Sequence, residues 1–85
     1  MPVKLVYFAW VREKVGRAEE VVALPPEAQT VAGVIAWLKT RGPEYAAAFE
    51  HAEVICAAID HTHVPASARI AGAREIAFFP PVTGG

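Results

Sequence analysis

The sequence predicts a two-layer α+β domain, a mixed sheet of about five strands packed on one main helix, with a short second helix and an extended C-terminal tail. Three observations predict it. The two most apolar strand-like segments, VKLVYFA (3–9) and REIAFF (74–79), lie near the two ends of the chain. One segment, TVAGVIAWLKTRG (30–42), repeats its apolar residues at helical spacing. The other apolar runs are short and are bounded by Pro, Gly or polar residues.

Val3 to Ala9 is rich in β-branched and aromatic residues and reads as the first strand. WVREKVG then makes a short helical turn, with Gly16 suited to the position after its end. EEVVAL (19–24) is the second strand, stopped by Pro25 and Pro26 and joined to the first as a hairpin with a longer loop. Thr30 caps the main helix, and Val31, Val34, Ile35 and Leu38 form its apolar stripe. Lys39 and Arg41 fall where they complement the helix dipole. Gly42 and Pro43 end that helix, and PEYAAAFE (43–50) opens a second, short one with Pro43 at its first position. EVICAAID (53–60) is a buried strand, HTHV a weaker one, and REIAFF the last.

The first and last strands cannot be joined by a hairpin, so a parallel pairing in the middle of the sheet is expected. That arrangement is a β-grasp. Lys4 must point to water, which turns Val6 and Phe8 to the open face and Val3, Leu5 and Tyr7 to the helix. With Ile76 and Phe78 in the core, Phe79 joins Phe8 on the open face. A contiguous apolar patch there reads as a partner surface. The plainer alternative is that the 10–18 segment covers it. Trp10 is expected at the edge of that face and Trp37 partly buried beside the helix stripe.

The chain has 85 residues, 54% of them hydrophobic and 20% charged, which fits one domain, here residues 1–79, followed by a flexible tail, 80–85. Eight basic and nine acidic side chains are scattered, so no nucleic-acid footprint is expected. No run approaches the roughly 20 apolar residues of a membrane span. The lone Cys56 permits no internal disulfide and fits a reducing cytoplasm.

Catalytic motifs do not stand out. No phosphate-cradling glycine loop occurs, so ATP binding by this chain itself is not expected. Ser67 lacks a nucleophile-elbow setting. Cys56, set among apolar residues, reads as inert core. His61 and His63 have a spacing that can hold two metal ligands, but Asp60 alternates away and no third is evident, so they read as surface or turn residues and no metal is expected. Glu19 and Glu20 read as a solvated strand end.

The unusual feature is the ending, FFPPVTGG. Pro80 and Pro81 lack backbone donors and project the chain outward from the sheet. Val82 and Thr83 are β-branched and keep it extended. Gly84 and Gly85 pass where no side chain fits. A terminal carboxylate at Gly85 is ionised at neutral pH and becomes an acyl donor only after activation.

With FFPPVTGG, VKLVYFAWVREKVG, the CAAID strand and EIAFFPP in that order, the chain resembles the small-subunit family of molybdopterin synthase. The resemblance covers nearly the whole chain. It implies a ubiquitin-like β-grasp that catalyses nothing alone and binds no cofactor. Gly85 would be adenylated by a ubiquitin-activating-like adenylyltransferase using its own ATP, then converted to a thiocarboxylate by a sulfur donor system. The large subunit would take in the tail, with Pro80, Pro81, Val82, Thr83 and Gly84 as the threaded stem. There the sulfur would attack a cyclic pyranopterin monophosphate precursor, two carriers serving each dithiolene, in a heterotetramer built on a dimer of large subunits. Phe8, Arg12 and Phe79 match partner-contacting positions. The chain departs from the family pattern at Asp60-His61, at His63 and in AGAREI (71–76), while Gly72 keeps the turn glycine. The Gly-Gly ending also leaves open a protein modifier joined to lysines through Gly85, or a sulfur carrier for thiamine or tRNA thiolation.

Overall fold

Lys4 sets the orientation of the whole sheet, because its charge holds one face of the first strand toward water. The computed structural model describes residues 2–81. The elements run β1 (Pro2–Tyr7), α1 (Ala9–Val15), β2 (Glu19–Ala23), α2 (Val31–Lys39), α3 (Pro43–Ala48), a 3-10 turn (Ala52–Val54), β3 (Cys56–Ile59), β4 (Thr62–Val64) and β5 (Glu75–Phe79). The five strands lie in the order β2-β1-β5-β3-β4. β1 and β5 pair in parallel at the centre, Lys4 opposite Glu75 through Tyr7 opposite Phe78. The remaining pairings are antiparallel. This is the expected β-grasp.

Alternation along β1 and β5 decides the core. Val3, Leu5, Tyr7, Ile76 and Phe78 are buried on the inner face, with Val31, Val34, Ile35 and Leu38 of α2 facing them. Phe49 completes an aromatic cluster. Its ring meets Phe78 edge-on at 5.3 Å, and Phe78 stacks on Tyr7 at 6.2 Å. Offset and edge-on contacts of this kind add about 0.5–1.5 kcal/mol each beyond area burial. Thr30 caps α2 as its sequence suggests, its hydroxyl accepting from the Gly33 amide at 3.1 Å.

Several boundaries and roles differ from expectation. β1 stops at Tyr7, and the chain turns into α1 through Ala9, whose φ of 51° is left-handed. An alanine there carries roughly 1 kcal/mol of steric penalty that glycine does not. Ala9→Gly is therefore expected to raise unfolding stability by about 0.5–1 kcal/mol, read as a higher urea midpoint. Gly16 ends α1 with φ 89° as expected, its amide bonding to the Arg12 carbonyl. β3 begins at Cys56 rather than at residue 53, since residues 52–54 wind into the 3-10 turn. His61 is not on a strand with His63. It shares with Asp60 a two-residue turn in which both φ values are positive, 48° and 73°, the geometry that joins twisted antiparallel strands tightly. Asp60 holds that turn against β5, its Oδ1 accepting from the amides of Arg74 and Glu75 at 3.1 and 3.0 Å.

Glu20 is the largest departure. It is no solvated strand end: its side chain is only 8% exposed and lies on the inner side of β2, the side of Val22. Oε2 accepts from the hydroxyls of Tyr7 and Tyr45, both at 2.7 Å. Oε1 accepts from Arg41 at 2.9 Å and from the exposed Arg17 at 3.3 Å. Burial alone would raise the Glu20 pKa, but the donors from Tyr45, Tyr7 and Arg41 outweigh it and hold the carboxyl below its usual range. Arg41 thus leaves the end of α2 to serve this carboxylate, its guanidinium over the rings of Trp37 and Tyr45 at 5.1 and 4.9 Å.

Candidate functional site

The centre strand β5 delivers the chain to Pro80 and Pro81. Phe79 is its last residue, paired with Cys56 across β3. On the β1 side the ladder runs one step past the last paired residues, the Phe8 amide donating to the Phe78 carbonyl at 3.1 Å. Since Tyr7 and Phe78 both point into the core, Phe8 and Phe79 emerge together on the open face. Phe8 is 50% exposed and Phe79 partly so, and α1 does not cover them. The exposed Phe8 and partly exposed Phe79 thus stand together beside the departure point of the chain, and aromatics are enriched in interface cores.

The rest of the open face is built from small or aliphatic residues in a cross-strand row. Val6 lies opposite Ala77, Ala77 opposite Ala58, and Ala58 opposite His63. This leaves the face shallow, so a partner's side chains can approach the sheet between Phe8 and β4. Below that row Lys4 sits between two carboxylates, 3.4 Å from Glu19 and 3.9 Å from Glu75. The His61 Nε2 lies 3.8 Å from the other oxygen of Glu75.

Arg12 is exposed in α1, one turn beyond Phe8, whose carbonyl accepts from its amide at 3.3 Å. Phe8 and Phe79 thus flank the point where Pro80 and Pro81 continue the chain, with Arg12 one helical turn along α1 from Phe8. Pro80 is half-buried and Pro81 exposed. Val82, Thr83, Gly84 and Gly85 lie outside the described residues.

Two residues singled out from sequence sit elsewhere than expected. Cys56 is not in the core: it opens β3 on the outward side, partly exposed, with Ala57 taking the core position. The near-continuous apolar run ICAAI hid this, because it carries no alternation to set the phase. Trp10 is not at the edge of the open face but packs against α3 and the 3-10 turn, lining a cavity of about 500 Å³ with Ala47, Ala48, His51 and Val54. His63 is exposed on β4, as expected of a surface histidine. Its tilted ring in fact lies 5.6 Å from that of Phe79. Among the described residues no three His, Cys, Asp or Glu side chains gather as metal ligands, and no helix is long and apolar enough to cross a membrane.

Known proteins share this plan. The chain is 35% identical over 81 residues to the molybdopterin synthase sulfur carrier subunit of Haemophilus influenzae, which aligns 95% of this chain with 96% of that protein. It is 38% identical over 84 residues to the subunit of the same name from Escherichia coli, with 98% and 99% aligned. Among solved structures, SAMP1 from Haloferax volcanii matches over 100% of both chains with a TM-score of 0.72, at 22% identity, a likeness of fold. The ThiS family profile matches residues 5–85. From β1 through the Gly-Gly ending, then, the chain belongs to the ThiS family.

Proposed function

We propose that this chain is the sulfur-carrying small subunit of a molybdopterin synthase, with Gly85 as the loaded position. The observation that carries it is the near full-length similarity to two sulfur carrier subunits of that enzyme. The geometry adds a reason: the aromatic pair stands beside the root of the tail, so a partner that grips the face also fixes where the tail begins.

The chemistry follows from the carboxylate. An ionised carboxylate resists attack by nucleophiles, so a partner enzyme must first join it to the α-phosphate of ATP, releasing pyrophosphate. A hydrosulfide equivalent from a sulfur donor system then attacks the acyl carbon, AMP leaves, and a thiocarboxylate remains. Its sulfur attacks the cyclic pyranopterin monophosphate precursor in the large subunit. Release of the carrier by water returns the Gly85 carboxylate, so two loaded carriers supply the two sulfurs of one dithiolene. This chain contributes no acid, base or metal to these steps. Its work is to dock, through Phe8, Arg12 and Phe79, and to present Gly85 on the stem of Pro80, Pro81, Val82, Thr83 and Gly84.

Intact-mass spectrometry of the protein purified from its own cells tests this. One oxygen replaced by sulfur, located to Gly85 by fragmentation, is the expected result. An unmodified carboxylate in cells actively making molybdenum cofactor would sink the proposal, and a target lysine joined to Gly85 would replace it with the modifier role. Phe79→Ala is expected to weaken binding to the large subunit by about 1–3 kcal/mol, as loss of an interface anchor does. Calorimetric titration checks this, alongside a thermal melt showing that the domain itself is little changed.

A further inference from the structure

The cavity of about 500 Å³ beside Trp10 lies at the end of the sheet from which the chain departs. Trp10 and Lys14 line it from α1, Ala47 and Ala48 from α3, and Val54 from the 3-10 turn. Both flanks begin close to the root of the tail. Trp10 follows Phe8 by two residues, and the Phe8 amide donates to the Phe78 carbonyl. Val54 precedes Cys56 by two residues, and Cys56 pairs with Phe79. One strand spacing plus two residues puts Val54 within roughly 12 Å of Phe79. The stretch from Pro80 to Gly85 spans up to roughly 20 Å when extended, enough to reach the cavity and cross it. The lining is mostly apolar, and Val54 is 43% exposed there. One cation stands over it: the Lys14 Nζ lies 5.7 Å from the centre of the Trp10 ring. Lys14 has no carboxylate partner among the described residues, whereas Glu53, the carboxylate of the cavity, lies 3.6 Å from His51.

We propose that this cavity is the resting seat of the chain's own tail, with Val82 against Trp10 and Val54 and the Gly85 carboxylate on Lys14. Three features argue for that occupant over a foreign one. The tail starts beside the cavity and has the length to enter it. Its chemistry matches the lining: Val82 is the aliphatic residue of the last four, Gly84 and Gly85 bring no bulk, and the chain then ends on an anion. The seat is tethered, so the effective concentration of the tail is high without any strong contact. Glu53 at the rim disfavours a carboxylate on its own side and turns the end toward Lys14. The contacts are few and partly exposed, so the seat is weak and exchange is easy. The inference deepens the carrier reading and takes from it the free end at Gly85. A carrier between partners would keep its reactive end against its own domain, and an enzyme acting on Gly85 would first displace it. The cavity is separate from the docking face, because Trp10 packs on α3 rather than beside Phe79. A partner could therefore grip Phe8 and Phe79 before the tail is drawn out.

Solution NMR of the isotope-labelled full chain at neutral pH tests this. Nuclear Overhauser contacts between the Val82 methyls and the Trp10 indole are expected, at the same strength in dilute and concentrated samples. The Trp10 indole N–H resonance reports the ratio of seated to unseated tail, and that of Trp37, which does not line the cavity, serves as the internal control. Lys14→Gln, a change at an exposed position, should lower that ratio about threefold, as loss of a surface ion pair does. Val82→Ala should lower it about fivefold through lost apolar burial. Absence of any contact between Val82 and Trp10 overturns the inference, and so does a Trp10 resonance that moves in neither variant. Contacts that appear only as concentration rises would assign the seat to the tail of a second copy and overturn the intramolecular form. None of these failures touches the carrier role, which stands or falls on the mass of Gly85 in cells.

Discussion

Deletion of Gly85, or addition of one alanine after it, is expected to abolish sulfur transfer while leaving the thermal transition of the domain unchanged. The expectation follows from the division of labour proposed above. In the proposed role the reacting atom would sit at the end of a stem that starts at Pro80, whose root lies beside Phe8 and Phe79. One residue of extended chain spans about 3.5 Å. A misplacement of about 1 Å at a reacting centre already costs on the order of 100-fold, so a whole residue too few or too many should bring the rate to background. Single-turnover conversion of a cyclic pyranopterin monophosphate precursor by the reconstituted synthase measures the loss. Binding of both variants to the large subunit should survive, since the docking face is untouched. Retained transfer in either variant would remove Gly85 from its proposed role.

Glu20→Ala should be the most damaging single change to the fold outside the apolar core, at about 3 kcal/mol. Breaking a buried pair by removing one partner typically costs 3–5 kcal/mol, because the remaining groups stay buried and unpaired. Here the abandoned donors are the hydroxyls of Tyr7 and Tyr45 and the guanidinium of Arg41. The exposed Arg17 adds little, as surface pairs do. The partly exposed Arg41 brings the expectation to the lower end of that range. The pH dependence has a sign. The folded Glu20 pKa lies below that of the unfolded chain, so its stabilisation is complete above the ordinary carboxylate range, about 4.3, and is lost as pH falls through the folded value. The Tyr7 hydroxyl is shifted the other way, upward, by burial first and then by its bond to Glu20. Its share is present below about pH 10 and fades above it. Urea midpoints from acid to alkaline pH should show both flanks in the wild type and a shallower acid flank in Glu20→Ala. Equal acid flanks would mean that other carboxylates govern acid unfolding.

Much of this was legible in the sequence wherever one residue forced a phase. Lys4 could not be buried, and the inward set Val3, Leu5, Tyr7 followed from it. The spacing of Val31, Val34, Ile35 and Leu38 admitted only a helical stripe, and Thr30 marked its start. The open-face placement of Phe8 and Phe79 came from the same alternation. Where no residue forced a phase, the reading slipped. The ICAAI run set neither the start of β3 nor the side of Cys56. Ala9 gave no sign of a left-handed φ, because such positions usually announce themselves with Gly or Asn. Glu20 was misread for a different reason. Alternation from Val22 already turned it inward, but the partners that make burial tolerable, Tyr7, Arg41 and Tyr45, come from three other segments. Only the assembled fold brings them to one carboxylate.

The sheet order carries a consequence for how the molecule comes into being. β1 with β2 and β3 with β4 are two separate hairpins, and β5 alone joins them. An isolated hairpin is marginal in water. Every strand but the last can be synthesised without a sheet that holds, and the native core cannot close until residues 75–79 have been made and inserted between partners some 70 and 20 positions behind them. The aromatic pair beside the tail root exists only once that insertion is complete, since Phe8 follows β1 and Phe79 ends β5. In the proposed docking role, a partner that requires both rings would engage only chains whose sheet is closed.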